Sequence, residues 1–204
     1  MNESKFLNFL QPYFEGRIGI ERFFEANSEK LDSSTQLETQ TEYFALARIL
    51  YDYGLLMFNE GKTRKSIYYL DEVLIIIDKI ESIFQVSAKN EKIFEYTLSN
   101  KGTALLKLKK YKEAILYFDE LIKIQPDNDD YKEYQKVANI GSYAKYGWAL
   151  YILAMLIWTL IISEKYVGKD FMPRWTGDLA WAALVIGMII LFGLPFMMKK
   201  RYSS

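Results

Sequence analysis

The sequence predicts an all-α chain, a short array of antiparallel helix pairs followed by a transmembrane helical hairpin. Three observations carry that prediction. Residues 146–163 and 179–198 contain no Asp, Glu, Lys or Arg. At about 1.5 Å rise per residue, each is about as long as the ~30 Å hydrocarbon core of a bilayer is thick. From Thr41 onward, apolar residues recur at offsets of three and four, the spacing of one helix face. Four Pro and 11 Gly in 204 residues, with Leu, Ile, Lys and Glu plentiful, leave few helix breakers.

Composition narrows the function classes. Lys+Arg and Asp+Glu balance at 26 each, so no overall field favours nucleic acid or an acidic substrate. The chain has no Cys, which removes disulfides, thiolate nucleophiles and Cys-based metal sites. It also has no His, which removes the commonest general base and the usual zinc or iron ligand. No phosphate-cradling Gly loop, dinucleotide fingerprint or nucleophile elbow is present, so no enzyme and no cofactor is expected. The acidic run Asp127, Asn128, Asp129 and Asp130 lacks the Gly and Glu of a calcium loop and reads as a helix cap, so no metal is expected either.

Residues 1–40 read as an N-terminal capping segment. Phe6, Leu7, Leu10, Tyr13 and Phe14 recur at helical spacing, and Phe23 and Phe24 follow the interruption at Gly16 and Gly19. A membrane-surface helix would carry mostly Lys and Arg on its polar face, whereas acidic residues stand here, which favours a cap packed on the array. Residues 27–40 are rich in Ser, Thr, Asp and Glu and read as a loop. Residues 41–140 form the helical domain. Its first helix has Tyr43, Ala47, Leu50, Tyr51, Gly54 and Phe58 on one face and closes at Gly61. The second points Ile67, Leu70, Val73, Leu74 and Ile77 inward. Residues 87–90 turn the chain, and helices follow at about 91–109 and 112–124. Pro126 ends the last of these. A helix over 129–140, with Tyr131, Tyr134, Val137 and Ala138, is expected to cap the array, and Gly141 with Ser142 to form a hinge.

Gly102, Ala114, Phe118 and Pro126 stand in the slots where a tetratricopeptide repeat (TPR) places its close-crossing Gly, its small residue, its aromatic and its Pro. The segment resembles that family. Leu98 and Leu105 take two further apolar slots, and Lys101 replaces a usual Leu. A weaker copy has Gly54, Ser66 and Leu70 in the corresponding places. Gly54 and Gly102 are 48 residues apart, against about 34 in the family. The resemblance implies a peptide-binding groove lined by the first helix of each pair: Arg48, Tyr51, Asp52, Leu55 and Phe58, then Tyr96, Ser99, Asn100, Thr103 and Lys107. It also leaves open that residues 1–40 fill this groove. At the slots where some family members clamp a peptide's terminal carboxylate, only Asn100 is compatible. The basic run Lys107, Lys109, Lys110 and Lys112 reads as a solvated turn, although anionic headgroups are the other use for such a run.

The hairpin comprises helix 146–163, an extracytoplasmic loop 164–178, helix 179–198 and a basic cytoplasmic tail 199–204. Tyr146, Trp148, Tyr151, Trp175 and Trp181 cluster at span ends, where aromatics favour the headgroup level. Lys132, Lys136, Lys145, Lys199, Lys200 and Arg201 flank the spans, against Lys165, Lys169 and Arg174 in the loop. That bias puts both termini in the cytoplasm. No ionisable residue lies in either span, so no proton or ion path is proposed. Ala183 and Gly187 form a small-xxx-small pair, which serves packing of the two spans on each other or a homo-oligomer.

The expectation is therefore a non-enzymatic membrane-anchored adaptor or scaffold that binds a protein or peptide partner, contacts lipid through its two spans and takes no nucleic acid. Its expected place is a bacterial cytoplasmic membrane. The alternative is a subunit of a larger membrane complex or oligomeric pore, in which the hairpin works and the repeats regulate it.

Overall fold

In the computed structural model, residues 4–32, 37–167 and 175–189 are described. Every regular element among them is helical: α1 (Lys5–Phe14), α2 (Ile20–Asp32), α3 (Gln40–Asn59), α4 (Thr63–Phe84), a 3-10 turn (Ala88–Asn90), α5 (Lys92–Lys107), α6 (Tyr111–Ile124), α7 (Asp129–Val167) and α8 (Trp175–Met188). The chain divides into two compact units, Met1–Gln135 and Lys136–Ser204.

In the first unit α3 pairs with α4 and α5 with α6, and α5 also packs on α4 and α3. The apolar faces meet in one core: Leu46, Ile49, Met57, Leu70, Ile77, Ile80, Leu98, Leu105, Phe118 and Leu121 are almost wholly shielded from solvent. Neither pair could bury its apolar face alone, so stacking is what makes a core of this kind. Gly102 shows how close the crossing is. A Cβ placed there would lie 2.8–3.1 Å from the Phe118 ring, whereas at Gly54 the nearest atom, Cβ of Tyr69, is 3.3 Å away. Ser66 is wholly buried and its hydroxyl has no hydrogen-bond partner among the described residues. Small size is what that slot uses.

Helix ends follow local chemistry. Thr39 and Glu42 form a reciprocal capping box at the start of α3. Gly61 takes φ 78° after α3, and Gln85, at φ 54°, closes α4 in the left-handed region. Asn128 caps α7, its Oδ1 accepting from the backbone N–H groups of Asp130 (3.1 Å) and Tyr131 (3.4 Å).

The N-terminal segment differs from the single cap and long loop expected of it. It is a helix pair: Phe9 and Tyr13 of α1 each lie 5.6 Å from the Phe23 ring of α2. Phe24 of α2 stacks on Tyr53 of α3 at 3.9 Å. Residues 27–32, expected as loop, continue α2, because Leu31 is buried and the polar side chains around it need only face water. Both α1 and α2 pack on α3.

At Gly141 and Ser142 the helix is continuous rather than hinged. The Ser142 hydroxyl donates to the Asn139 carbonyl at 2.6 Å, so its polar group is satisfied within its own helix. Among the described residues one helix is long and apolar enough to cross a membrane, Asp129–Thr159, and only 12% of its most apolar window is buried. In the second unit Trp148, Ile152, Leu153, Met155 and Leu156 of α7 are exposed, as are Trp181, Val185, Ile186 and Met188 of α8. Trp158 meets Trp181 edge-on at 5.4 Å. Thr159 Oγ1 donates to the Met155 carbonyl at 2.8 Å, so its hydroxyl is satisfied within the helix. The second expected span, 179–198, is described only as far as residue 189. Of the loop expected over 164–178, residues 164–167 instead continue α7 and 175–178 begin α8, while 168–174 and all of tail 199–204 lie outside the described residues.

Two outcomes follow from this packing. Gly102→Ala should destabilise the first unit by roughly 1–3 kcal/mol through overpacking on Phe118, while Gly54→Ala should change stability by less than about 1 kcal/mol, its contact being looser and its helix propensity improved. Urea denaturation of the 1–135 unit, followed by circular dichroism, checks the order. Glu42 gives a pH signature. Its burial pushes the carboxyl up, but bonds from the Ser4 hydroxyl and from the N–H groups of Glu38 and Thr39 outweigh that and hold it below its ordinary value. The folded-state pKa is depressed, so the stabilisation is present above the unfolded value of about 4.3 and is lost as pH falls through the folded value. Glu42→Gln should therefore cost about 1–2 kcal/mol at neutral pH and progressively less in acid. An equal cost at both ends of that range would refute the assignment.

Candidate functional site

The ten residues expected to line a groove all lie on α3 and α5, and the structure joins those two faces directly. Offsets of three, four and seven put Arg48, Tyr51, Asp52 and Leu55 on one side of α3, with Phe58 a turn further on. Tyr96, Ser99, Asn100, Thr103 and Lys107 repeat the arrangement on α5. Asn100 Nδ2 donates to the Tyr51 hydroxyl at 2.8 Å, and the Lys107 ammonium sits 3.5 Å from the centre of the Phe58 ring. One polar and one cation–π contact thus tie the first helices of successive pairs along their shared face.

What this face offers a ligand follows from which atoms are already used. Both amide protons of Asn100 are engaged, one by Tyr51 and the other by the Tyr96 carbonyl at 2.9 Å, which leaves its Oδ1 as an acceptor. The Tyr51 oxygen accepts from Asn100, which leaves its O–H to donate. An acceptor and a donor side by side match the N–H and C=O of one peptide unit. Burial, and next the Asp52 charge, raise the Tyr51 pKa, so the phenol stays protonated. Tyr96 is exposed and Leu55 and Phe58 half-buried, which adds apolar contact. Thr103 turns its hydroxyl to the Ser99 carbonyl at 2.9 Å and presents mainly its methyl group.

The near end of the face is occupied. Asp52 holds the Arg48 guanidinium at 2.8 Å and also accepts from the Tyr13 hydroxyl of α1. Burial, and then that bond to a carboxylate, push the Tyr13 pKa well above its ordinary value. A second tie joins Ser4 to Glu42. The N-terminal pair thus covers the Asp52 end; beyond it Leu55 and Phe58 are half-buried, and Tyr51 is 8% exposed. At the other end Glu95 accepts from Tyr131 of α7 (2.6 Å) and from Gln125 (2.8 Å), and Tyr134 stacks on Phe118. Tyr13 and Glu95 were not expected at the site. Their partners lie 39 and 36 residues away in sequence, beyond the reach of a repeat motif. Among the described residues no three acidic side chains converge as a metal cage would need.

Comparison with known proteins bears on the same segment. Residues 96–128 match the tetratricopeptide repeat model, which spans α5, the turn and α6. Over 176 residues, 86% of its length, the chain is 34% identical to the signal recognition particle subunit SRP72 of Dictyostelium discoideum, and it covers 21% of that protein. No solved structure matches it. The chain is an all-α protein carrying a tetratricopeptide repeat.

The Lys in place of the usual Leu is buried. Lys101 pairs with Asp71 of α4 and lies 4.3 Å from the centre of the Tyr117 ring of α6, so it bridges three helices behind the groove. Burial disfavours the ammonium, but the bond to Asp71 outweighs it and raises the pKa. Asp71→Asn leaves that ammonium without its counter-ion and should destabilise the first unit by about 1–3 kcal/mol, a figure reduced by the partial exposure of Asp71. Lys101→Met removes the charge and fills the space, and should stay within about 1 kcal/mol of the parent. Denaturation midpoints in the reverse order would contradict this account.

Proposed function

We propose that this repeat-bearing chain is a membrane-anchored, non-enzymatic adaptor whose α3–α5 face binds an extended segment of a protein partner on the cytoplasmic side. The observation that carries the reading is the Asn100–Tyr51 link, which sets a free acceptor and a free donor between apolar side chains on adjoining first helices. Peptide recognition of this kind combines a few apolar anchors with hydrogen bonds that fix register.

Anchoring is supported by the apolar, largely unburied stretch of α7 and the exposed apolar residues of α8. Surfaces of that composition are unfavourable in water and suited to hydrocarbon. The second span is read from the absence of charge over 179–198 and the orientation from the flanking Lys and Arg, with both termini cytoplasmic. A tether of this kind raises the effective concentration of the groove for partners at the same membrane, up to the millimolar range in favourable geometry.

A photo-crosslinking amino acid at Tyr96, in the full chain expressed in cells, tests the groove. A discrete crosslinked protein is expected, with its yield reduced about tenfold or more by Asn100→Ala combined with Lys107→Ala. Crosslinks formed from Trp148 or Trp181 and absent from Tyr96 would overturn the adaptor reading. They would support the second one, a subunit of a larger assembly that works through its membrane helices. One observation favours that second reading: the similar Dictyostelium protein is by name a subunit of a particle.

A further inference from the structure

The turn from α3 into α4 and the turn from α5 into α6 are far apart in sequence but share one shallow cavity. Its volume is about 370 Å³, and it is lined by Gly61, Lys62, Thr63, Arg64, Lys65 and Leu108. The contact of Lys107 with Phe58 brings the same helix ends together independently. Around this edge Lys62, Arg64, Lys65, Lys109, Lys110 and Lys112 are all exposed. Glu60 pairs with Lys62 at 2.7 Å and Glu113 with Lys110 at 3.1 Å. The other four cations form no ion pair among the described residues. Lys also stands at the N-cap of both α4 and α6, and neither helix has a side-chain cap. At each turn the C-terminus of one helix stands beside the N-terminus of the next, so the helix dipoles largely offset each other and the positive potential comes from the side chains, gathered here in a chain of zero net charge. Mutual repulsion makes such an edge unfavourable in isolation and favourable against an anionic surface.

We propose that this two-turn edge docks on the anionic headgroups of a lipid bilayer. Five of the six cations are Lys, compact charges on flexible stems that suit a field of mobile headgroups. The planar fork that reads bases or single phosphates is supplied only by Arg64. Within the turns themselves no aromatic is exposed; Tyr111 at the start of α6 is half-buried, and the exposed Tyr68 lies a turn into α4. The inference rests on the anchored reading above, which supplies a bilayer within reach.

The full chain has no Cys, so a single Asn59→Cys at the end of α3 carries one fluorophore beside the edge. The protein is reconstituted into phosphatidylcholine vesicles holding a headgroup-attached quencher, with or without about 30% phosphatidylglycerol. Quenching is expected with the anionic lipid and at least about threefold less without it, in high salt, or in the Arg64→Gln, Lys65→Gln, Lys109→Gln, Lys112→Gln variant. Circular dichroism establishes that the variant is folded. If it is not, the two pairs of substitutions made separately and the salt series on the parent give the same readout. Flotation with pure phosphatidylcholine vesicles reports anchoring on its own. A chain that floats there but shows equal quenching with and without phosphatidylglycerol overturns the headgroup proposal and leaves the anchor standing. One that floats only with anionic vesicles, and loses that with the four substitutions, supports the proposal and removes the anchor. A label that responds to a single-stranded RNA oligonucleotide and not to anionic vesicles overturns the lipid assignment.

Discussion

The ring of Phe118 lies in the space that a side chain at residue 102 would fill, and the rest of the first unit is arranged around that approach. With no Cβ at Gly102, α5 and α6 cross closely enough for Ala114, Phe118 and Leu121 to be sealed from water against Leu98 and Leu105. Burial of that size is the main driving force available to a small helical unit. The same crossing fixes the rotation of α5, and therefore which of its residues look outward. Tyr96, Asn100, Thr103 and Lys107 share the groove face because Leu98, Lys101, Gly102 and Leu105 are committed to the other side. The core decides the register of α5, and the outward face inherits it.

The division of labour along the unit follows from the same geometry. First helices present the joined α3–α5 face, and the turns into the second helices carry the cations. The buried Lys101 pairs with the partly exposed Asp71 at the point where α4, α5 and α6 converge. A Leu there would bury more apolar area. A Lys instead makes a directional contact with Asp71 across the junction and lies against the Tyr117 ring. The tie from Tyr51 to Asn100 acts similarly on the front. Two polar contacts, one on each side of the core, thus fix how one pair sits on the next.

Much of this was legible in the sequence because it is local. Gly102, Ala114, Phe118 and Pro126 stand within one helix pair, and their spacing states both the period and the crossing. That the ten residues named on α3 and α5 would fall along single helices was legible for the same reason, since each set is a single-helix pattern. The bond between them was not, because Tyr51 and Asn100 are 49 residues apart and nothing in either segment names its partner. The N-terminal pair was obscured by composition. Only Phe23, Phe24 and Leu31 of α2 are buried among its charged and polar residues, too sparse a stripe to separate a helix end from a polar loop. Gly141 and Ser142 misled in the opposite direction. Gly in a helix interior costs about 1 kcal/mol, which a long helix absorbs.

The 48-residue separation of Gly54 and Gly102 looks like a defect in the repeat, yet it leaves the stacking intact. The extra residues enter beyond the crossing. α4 has 22 residues where α6 has 14, and α3 has 20 where α5 has 16. The surplus of α4 lies at its C-terminal end, opposite the early turns of α3, and there Tyr43 meets Phe84 edge-on at 5.8 Å. The lengthened second helix thus has a lengthened first helix to pack against, and its added turn is held by its own aromatic pair. From the end of α4 the chain returns through the Ala88–Asn90 turn, where Lys89 pairs with Asp78 at 3.2 Å and Ala88 is buried. Those contacts bring α5 to the flank of α4. The period of a stacked helical array is therefore set by where the pairs cross, and helix length beyond the crossing can vary as long as both members of the pair lengthen together.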